Sequence, residues 1–331
     1  MYDTAIIGLG CAGYTTAIYS ARYKLKTLIV GAQEGGMGMS AADVGNWPGD
    51  IEVRGPDLME RFKNHATSFS DVEMKLSKVE KIEKALSSTE LCCLSTSANG
   101  RTLEESTTSG EADEIFKLTL EGGEECEAKS IVFATGSNKR HLGTPGEEEF
   151  SGKGVTYCAT CDAFFYRGKD VAVIGGGDSA VEGAAIAAQS CNKVYLIHRR
   201  NEFRAEPYWV DEMEKRDNIV MVLERNVTEI LGDGKVTGVK LDKEFEGKDV
   251  IDVEGVFIEV GSNPASDIAK DLGCDLDERG FVKVGADQAT SVNGVFAAGD
   301  VSDASNHFAQ FATAAGEGAV AANSVFTYLQ K

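Results

Sequence analysis

The chain has 331 residues, of which 42% are hydrophobic and 26% charged, a composition typical of a soluble globular protein with room for two domains. Its net charge of −20 opposes binding to phosphate backbones and anionic lipids, so no nucleic acid partner is expected. No apolar run reaches the ~18 to 20 residues of a membrane span and no basic leader is present, so we expect no membrane contact and a cytoplasmic location.

The first predicted unit is "YDTAIIGLGCAGYTTAIYSARYKLKTLIVG", which has the order strand, glycine turn, helix, strand. Gly8 is expected to make the tight turn, Gly10 to let the backbone approach a pyrophosphate, and Gly13 to let helix and strand pack closely. Alone, this pattern also fits an ordinary glycine-rich turn of an α/β protein. Glu34, just past the second strand, is the candidate acid for a ribose hydroxyl.

The segment 87–114 is rich in Ser, Thr, Glu and Gly, and it cannot bury enough apolar surface to offset the entropy of ordering. It is predicted to be a mobile surface loop. The adjacent Cys92 and Cys93 could join only through a strained ring, and nearby glutamates would raise their pKa values if close. We therefore expect that this segment carries no electrons.

The stretch "YCATCDAFFY" places Cys158 and Cys161 two residues apart, followed by Asp162. A cytosolic pair with this spacing is more often catalytic than structural, because a helix start lowers the pKa of one thiol. The alternative is half of a zinc site. No second pair with suitable spacing is present, so no metal is expected.

A second unit, "KDVAVIGGGDSAVEGAAIAAQSCNKVYLIHRRNEFR", again runs strand, glycine turn, helix, strand. Gly175, Gly177 and Ala180 occupy the glycine-loop positions. Two such loops predict two bound dinucleotides.

The second unit ends in basic residues where a ribose-binding acid would otherwise stand. His198, Arg199 and Arg200 follow the strand, and Arg204 comes one helical turn later. Arginines match a 2′-phosphate by charge and geometry, so this loop is predicted to take NADPH and not NADH. The alternative is a solvated basic cluster, although basic residues are few in this chain.

Together these motifs closely resemble the low-molecular-weight thioredoxin reductases. The similarity covers nearly the whole chain and rests on "GLGCAG", "NWPGD", "ATG", "CATCDAFFYRGKDVAVIGGGDSAVE", "HRRNEFRA" and "VFAAGD". It implies an α/β fold of two Rossmann-like, three-layer ββα domains. An NADPH domain at 144–262 would be inserted between FAD-binding parts at 1–143 and 263–331, with "GTPG" and "GSNP" as hinge strands.

The resemblance also implies cofactor contacts, with Asp300 on the ribityl chain of FAD. The expected FAD contacts are Gly8, Gly10, Ala12, Gly13, Gln33, Glu34, Gly36, Met37, Asn46, Val79, Thr135, Gly136, Gly299, Asp300, Ala309, Gln310 and Phe311. The expected NADPH contacts are Gly175, Gly177, Asp178, Ser179, Ala180, Glu182, His198, Arg199, Arg200 and Arg204.

By the same resemblance, hydride passes from NADPH to FAD, the reduced flavin opens the 158/161 disulfide, and the dithiol reduces thioredoxin or a thioredoxin-like protein. Cys161 would face the flavin, Cys158 would attack the partner, and Asp162 would be the general acid. The alternative for Asp162 is a helix cap. A homodimer is implied, and the two domains would rotate to let nicotinamide and dithiol reach the flavin in turn.

Three positions depart from the family pattern: Met37 stands where glutamine is common, Gln33 precedes Glu34 at the acidic position, and Ala309 replaces an arginine. His307 lies in the departing segment and is not expected to be catalytic. Alternative functions are a ferredoxin-fed reductase, a dithiol oxidase or a non-catalytic flavin redox sensor. The complete NADPH loop disfavours the first two.

Overall fold

The computed structural model describes residues 1–41, 44–86 and 114–331. The predictions for the segment 87–114, including those for Cys92 and Cys93, fall almost entirely outside these residues. The chain forms two compact units: unit 1 comprises Met1–Met39, Val44–Gly136 and Pro264–Lys331, and unit 2 comprises Ser40–Asp43 and Ser137–Asn263.

Strands account for much of both units. In chain order they are β1 (Thr4–Leu9), β2 (Thr27–Glu34), β3 (Val72–Leu76), β4 (Val79–Leu86), β5 (Glu114–Leu120), β6 (Glu125–Ala128), β7 (Ile131–Phe133), β8 (Ser137–Lys139), β9 (Val155–Thr156), β10 (Asp170–Gly175), β11 (Lys193–His198), β12 (Ile219–Leu223), β13 (Val227–Gly232), β14 (Val236–Phe245), β15 (Lys248–Asp252), β16 (Gly255–Glu259), β17 (Ser262–Pro264) and β18 (Val295–Ala297).

Two of the helices begin directly after the glycine loops, at Gly10 and Gly177, and the longest lies near the C-terminus. They are α1 (Cys11–Arg22), α2 (Gly55–Thr67), α3 (Ala159–Asp162), α4 (Asp178–Ala187), α5 (Pro207–Glu214), α6 (Asp267–Asp271) and α7 (Phe311–Leu329), with short 3₁₀ helices at Gly36–Ser40, Ala163–Tyr166 and Ala304–His307. Within the described residues, no helix is long and apolar enough to cross a membrane.

Unit 1 contains a parallel sheet with the order β18-β7-β1-β2-β3 and an antiparallel sheet with the order β4-β5-β6. Strand β1 is apolar on both faces, as expected for a parallel strand that is covered from two sides. Ile7 and Phe133 of the parallel sheet share a core with Phe116 and Leu118 of the antiparallel sheet. Helix α1 packs against β1, β2 and α7. The layers are therefore sheet, sheet and helix.

Unit 2 repeats this architecture with a parallel sheet β12-β11-β10-β16-β9 and an antiparallel sheet β13-β14-β15. Alternate residues of β10 explain the layering. Ala172 and Ile174 pack toward the antiparallel sheet, whereas Val171 and Val173 pack toward α4. This period of two is the side-chain alternation of a strand.

A two-stranded sheet joins β8 and β17. The predicted hinge segment 261–264 overlaps β17, while the predicted segment 143–146 has no strand and ends in a turn. The functional domain boundaries at 144 and 262 stay a prediction.

Candidate functional site

The first glycine loop connects β1 to α1 in a geometry that requires glycine. Gly8 has a φ of +129°, and a Cβ built on it would lie 2.0 Å from the carbonyl oxygen of Ala134. A Cβ on Gly13 would lie 2.0 Å from the carbonyl oxygen of Gly8, so helix and strand pack in close contact. Gly10 caps α1, and the space beside it is open for 4 Å. The first turn of α1 carries no acidic side chain, so its free N–H groups suit an anion.

Most other predicted FAD contacts lie where the parallel strands of unit 1 end. Strands β18, β7, β1 and β2 run in the same direction, and so their carboxyl ends meet at one edge, the usual ligand side of such a sheet. This edge carries Gly8, Gly10, Ala12, Gly13, Gln33, Glu34, Gly36, Met37, Thr135, Gly136, Gly299 and Asp300.

Asp300 is the most perturbed acid of this edge. Burial, together with the negative charge of Glu317, raises the pKa of the Asp300 carboxyl to about 6. Among the described residues its side chain accepts a hydrogen bond only from its own backbone. Glu317 is itself buried, and its Oε2 accepts the N–H of Gly299 at 2.7 Å. A bound hydroxyl would supply the donor that the Asp300 carboxylate lacks, so the residues fit the ribityl chain of FAD.

Residues from distant parts of the chain meet at the start of α7. The Asn46 side-chain amide donates to Oε1 of Gln310 at 2.9 Å, and Gln310 forms a reciprocal capping box with Thr313. The thiol of Cys11 donates to the carbonyl of Phe311 at 3.4 Å. These contacts bring Asn46, Gln310 and Phe311 together around the first glycine loop.

Four predicted contacts have less direct support. Glu34 is exposed and pairs with Nζ of Lys63 at 2.7 Å. Met37 and Ala309 are exposed. Val79 has its side chain in the core of unit 1. The roles of these residues toward FAD stay predictions.

The second glycine loop has the same backbone construction in unit 2, although the first turn of α4 carries an acidic residue. Gly175 has a φ of +150°, and a Cβ built on it would lie 2.2 Å from the carbonyl oxygen of Glu259. Gly177 caps α4, with open space beside it. Helix α4 carries the predicted contacts Asp178, Ser179, Ala180 and Glu182, and Oδ1 of Asp178 accepts the N–H of Glu206 at 2.6 Å.

The predicted basic cluster lies beside this loop. His198 ends β11, is buried and stacks on Phe203 with ring centroids 5.7 Å apart. Burial lowers its pKa, and the charges of Arg200, Arg199 and Arg204 lower it further. The backbone N–H of Arg204 donates to the carbonyl of Gly176 at 2.7 Å, which ties the cluster to the loop. All three arginines are exposed.

These guanidinium groups form no ion pair within 4 Å among residues 1–41, 44–86 and 114–331. Since the chain has more acidic than basic residues, three unpaired arginines beside a glycine loop suit a phosphate ligand. The site therefore fits the 2′-phosphate of NADPH.

Cys158 and Cys161 are joined in a disulfide, as predicted for the redox pair. Cys158 is the N-cap of α3, and its Sγ accepts the backbone N–H of Cys161 at 3.2 Å. Cys158 is half-buried and Cys161 is exposed. A thiolate at Cys158 would therefore keep a hydrogen-bond donor, which is the usual way in which a helix start activates a thiol.

Asp162 ends α3 and precedes a 3₁₀ helix. It stands at the N-cap position of that helix, as the alternative interpretation has it, but makes no side-chain capping bond to it. Its carboxylate instead accepts a hydrogen bond from the hydroxyl of Thr156. Its position, one residue after Cys161, places a carboxyl group next to the disulfide in the sequence.

The sequence patterns missed several residues around the disulfide. Oε1 of Glu259 accepts the N–H of Ala159 at 3.1 Å, and Oε2 accepts from Nζ of Lys139 at 2.7 Å. Phe164 and Phe165 are 67% and 73% exposed directly after the redox motif. A glutamate inside the apolar run "VFIEV" was the available signal for Glu259, and the pair of phenylalanines in "DAFFY" was the signal for the exposed surface.

The remaining described cysteines, Cys11, Cys126, Cys191 and Cys274, are buried free thiols. Burial raises the pKa of Cys11 to about 12. Such thiols are unreactive near neutral pH.

Two glycine loops on parallel sheets and one disulfide at a helix start define a dinucleotide-dependent oxidoreductase. The family model for pyridine nucleotide-disulphide oxidoreductases matches residues 2–318, and the chain belongs to this family. The predicted fold class is confirmed.

Individual relatives cover almost the entire chain. A thioredoxin reductase of Mycolicibacterium smegmatis is 38% identical over 97% of this chain and 94% of its own length. A glucosaminate ammonia-lyase of Pseudomonas fluorescens is 39% identical over 98% of this chain and 94% of its own length. The crystal structure of Lactococcus lactis thioredoxin reductase superposes with a TM-score of 0.86 at 34% identity and covers 100% of this chain and 99% of that one.

Proposed function

We propose that this protein is an NADPH-dependent thioredoxin reductase, which reduces the disulfide of thioredoxin or a thioredoxin-like protein. The observation that carries the proposal is the Cys158–Cys161 disulfide at the start of α3, in the same unit as the arginine-flanked glycine loop. Membership in the family and the near full-length similarity to thioredoxin reductases support it.

Two cofactors are needed, and the chain has a site suited to each. FAD would be held by the first glycine loop, by Asp300 and by the start of α7, and NADPH by the second loop and its arginines. When bound, FAD supplies a two-electron carrier between the nicotinamide and the disulfide. The N-termini of α1 and α4 would bind the two pyrophosphates. The Asp300 carboxylate would accept a hydrogen bond from a hydroxyl of FAD.

In the thiol steps, Cys158 would act as the nucleophile toward the partner. Its Sγ attacks one sulfur of the partner disulfide, a mixed disulfide forms, and the other partner sulfur leaves and takes a proton. Cys161 then attacks the Sγ of Cys158, the second partner thiol leaves with a proton, and the 158/161 disulfide forms again. Two electrons and two protons have passed to the partner.

Asp162 would supply and recover protons during these steps, because it follows Cys161 directly and its carboxylate is held by Thr156. Cys161 is proposed as the thiol that faces the flavin. Phe164 and Phe165 would contact the partner, since large apolar side chains exposed beside a reactive disulfide are suited to protein docking.

A homodimer and a cytoplasmic location are part of the proposal and follow the family expectation. A ferredoxin-fed reductase or a dithiol oxidase is less well supported, because neither would need the three unpaired arginines. A non-catalytic redox sensor would keep the disulfide but would not turn over.

The test is anaerobic titration of the purified, FAD-loaded protein with NADPH and then NADH, followed by addition of thioredoxin. NADPH should bleach the flavin absorbance stoichiometrically, and oxidised thioredoxin should restore it with repeated turnover. A protein that NADPH cannot reduce, or that fails to turn over any thioredoxin-like disulfide, contradicts the proposal. Ammonia release from glucosaminate would instead support the activity named for one relative.

A further inference from the structure

Glu259 is a buried acid that none of the motifs identified. It is the last residue of β16, and its side chain is only 4% exposed. The other residues of this strand are buried and carry no charge, and Oε1 of Glu259 reaches the backbone of α3 at Ala159. Burial raises the pKa of Glu259, while Lys139 opposes this shift.

Its contacts connect three parts of unit 2. Oε1 accepts the N–H of Ala159, the residue between Cys158 and the rest of α3. Oε2 accepts from Nζ of Lys139 in β8 at 2.7 Å. The backbone of Glu259 pairs with Gly175, the first glycine of the second loop. Glu259 therefore contacts α3, the second glycine loop and β8.

The contact with Ala159 matters because of its place on α3. The first N–H groups of a helix have no partner within the helix, and Glu259 occupies one of them directly beside the N-cap Cys158. An ionised carboxylate at this point fixes the start of α3. It also places a negative charge, paired with Lys139, on the backbone N–H of the residue that follows Cys158, whose sulfur can become a thiolate when the disulfide is reduced.

We propose that Glu259 is a positioning residue, which anchors the start of α3 and makes the Cys158–Cys161 pair a stronger reductant, with Lys139 as its counter-ion. The inference rests on the proposed function and names a residue that sets the reduction potential of the Cys158–Cys161 pair. Reduction breaks the S–S bond and adds two electrons and one proton, which leaves one sulfur as a thiol and the other as a thiolate; the thiolate takes a second proton only below its own pKa. A nearby carboxylate disfavours the thiolate of the reduced pair, so it favours the disulfide and lowers the potential.

The test is equilibration of the FAD-loaded protein with reduced and oxidised dithiothreitol at pH 8. Thiol alkylation and mass spectrometry of the peptide that contains Cys158 and Cys161 give the reduced fraction. Glu259→Gln keeps an oxygen acceptor for Ala159 but removes the negative charge and leaves Lys139 unpaired. The equilibrium constant for reduction should rise roughly tenfold, which is about 30 mV for a two-electron couple.

Two further variants make the result specific. Glu259→Gln combined with Lys139→Gln removes both charges, leaves no half-buried ion without its partner, and should raise the constant about threefold, less than the single change. Asp242→Asn is the matched control, since Oδ1 of Asp242 accepts the N–H of Asn226 at 2.9 Å, and it should leave the constant unchanged.

A constant within twofold of the parent in Glu259→Gln overturns the inference. If that variant does not fold, an unchanged constant in the double variant overturns it equally. The measurement uses neither NADPH nor thioredoxin, so its failure is separate from a failure of the proposed function.

Discussion

The hydroxyl of Thr156 donates a hydrogen bond to the carboxylate of Asp162 and accepts the backbone N–H of Cys158 at 3.3 Å. One side chain thus connects the acid that follows the redox motif with the cysteine that begins it. This arrangement holds Asp162 in place without using it as a helix cap.

Replacing Asp162 should separate proton transfer from electron transfer. Asp162→Asn should lower kcat with thioredoxin about tenfold to a hundredfold, because an amide cannot deliver a proton, while flavin reduction by NADPH persists. Thr156→Val should lower kcat less, since the acid stays but loses its partner. Stopped-flow absorbance separates the two steps. Unchanged kcat in Asp162→Asn would exclude it as the general acid.

The two cysteines should differ when each is replaced. If Cys161 is the thiol that faces the flavin, Cys158→Ser leaves a thiolate there and should show long-wavelength charge-transfer absorbance, whereas Cys161→Ser should not. Both variants should lose thioredoxin reduction and keep flavin reduction by NADPH. Identical visible spectra of the two variants would refute the assignment.

Coenzyme choice should depend on Arg199 and Arg200. Changing both to Gln should raise the KM for NADPH at least about tenfold and leave the KM for NADH nearly the same, since charge-assisted hydrogen bonds contribute roughly 1.5 to 3 kcal/mol each. Lys193→Gln is the control, because Lys193 is an exposed cation at the opposite end of β11. A parent protein that prefers NADH would contradict the prediction.

FAD affinity should depend on pH through Asp300. In the FAD-free protein the pKa of this carboxyl is raised to about 6. The protonated carboxyl therefore contributes to the free energy of unfolding, fully below its ordinary pKa, and this contribution is lost as pH rises through about 6. FAD hydroxyls should favour the ionised form, so binding releases a proton and the Kd should fall about tenfold between pH 5 and 7.5. Fluorescence titration measures this Kd. Asp300→Asn should weaken binding and flatten the pH dependence, and a pH-independent parent would argue against it.

Partner docking should depend on Phe164 and Phe165. Replacing both with alanine should raise the KM for thioredoxin roughly tenfold, because truncating an aromatic side chain in an interface weakens the binding free energy by about 1 kcal/mol or more. Reduction of a small aromatic disulfide should be unaffected, since it needs no docking surface. Met221→Ala, which removes another exposed apolar side chain of unit 2, is the control. Equal KM values for thioredoxin in parent and double variant would place docking elsewhere.

Local patterns predicted the parts of the site that are continuous in sequence. The glycine loops at Gly8 and Gly175, the 158/161 pair and the arginines after β11 all have fixed spacings whose geometry follows from strand and helix rules. The strand, glycine turn, helix and strand order of each unit follows from the same local patterns, whereas the layered two-domain architecture was implied by the family resemblance.

Contacts between distant residues could not be predicted in this way. Lys139 and Glu259 are 120 residues apart, and Asn46 and Gln310 are 264 apart. No periodicity connects such positions, because only the packing of the folded sheets brings them together. The absence of a capping bond from Asp162 has a more local cause, since its carboxylate accepts from Thr156, six residues earlier.

The strand order of unit 1 has a consequence for synthesis of the chain. Strand β7 is flanked by β1 from the beginning of the sequence and by β18, which begins at Val295, while α1 packs against α7. Residues 137–263 of unit 2, in contrast, are contiguous. On the ribosome, unit 2 should therefore reach its native structure before β18 and α7 of unit 1 have been synthesised. Flavin uptake then becomes a post-translational event, and FAD supply should influence how much newly made protein escapes proteolysis.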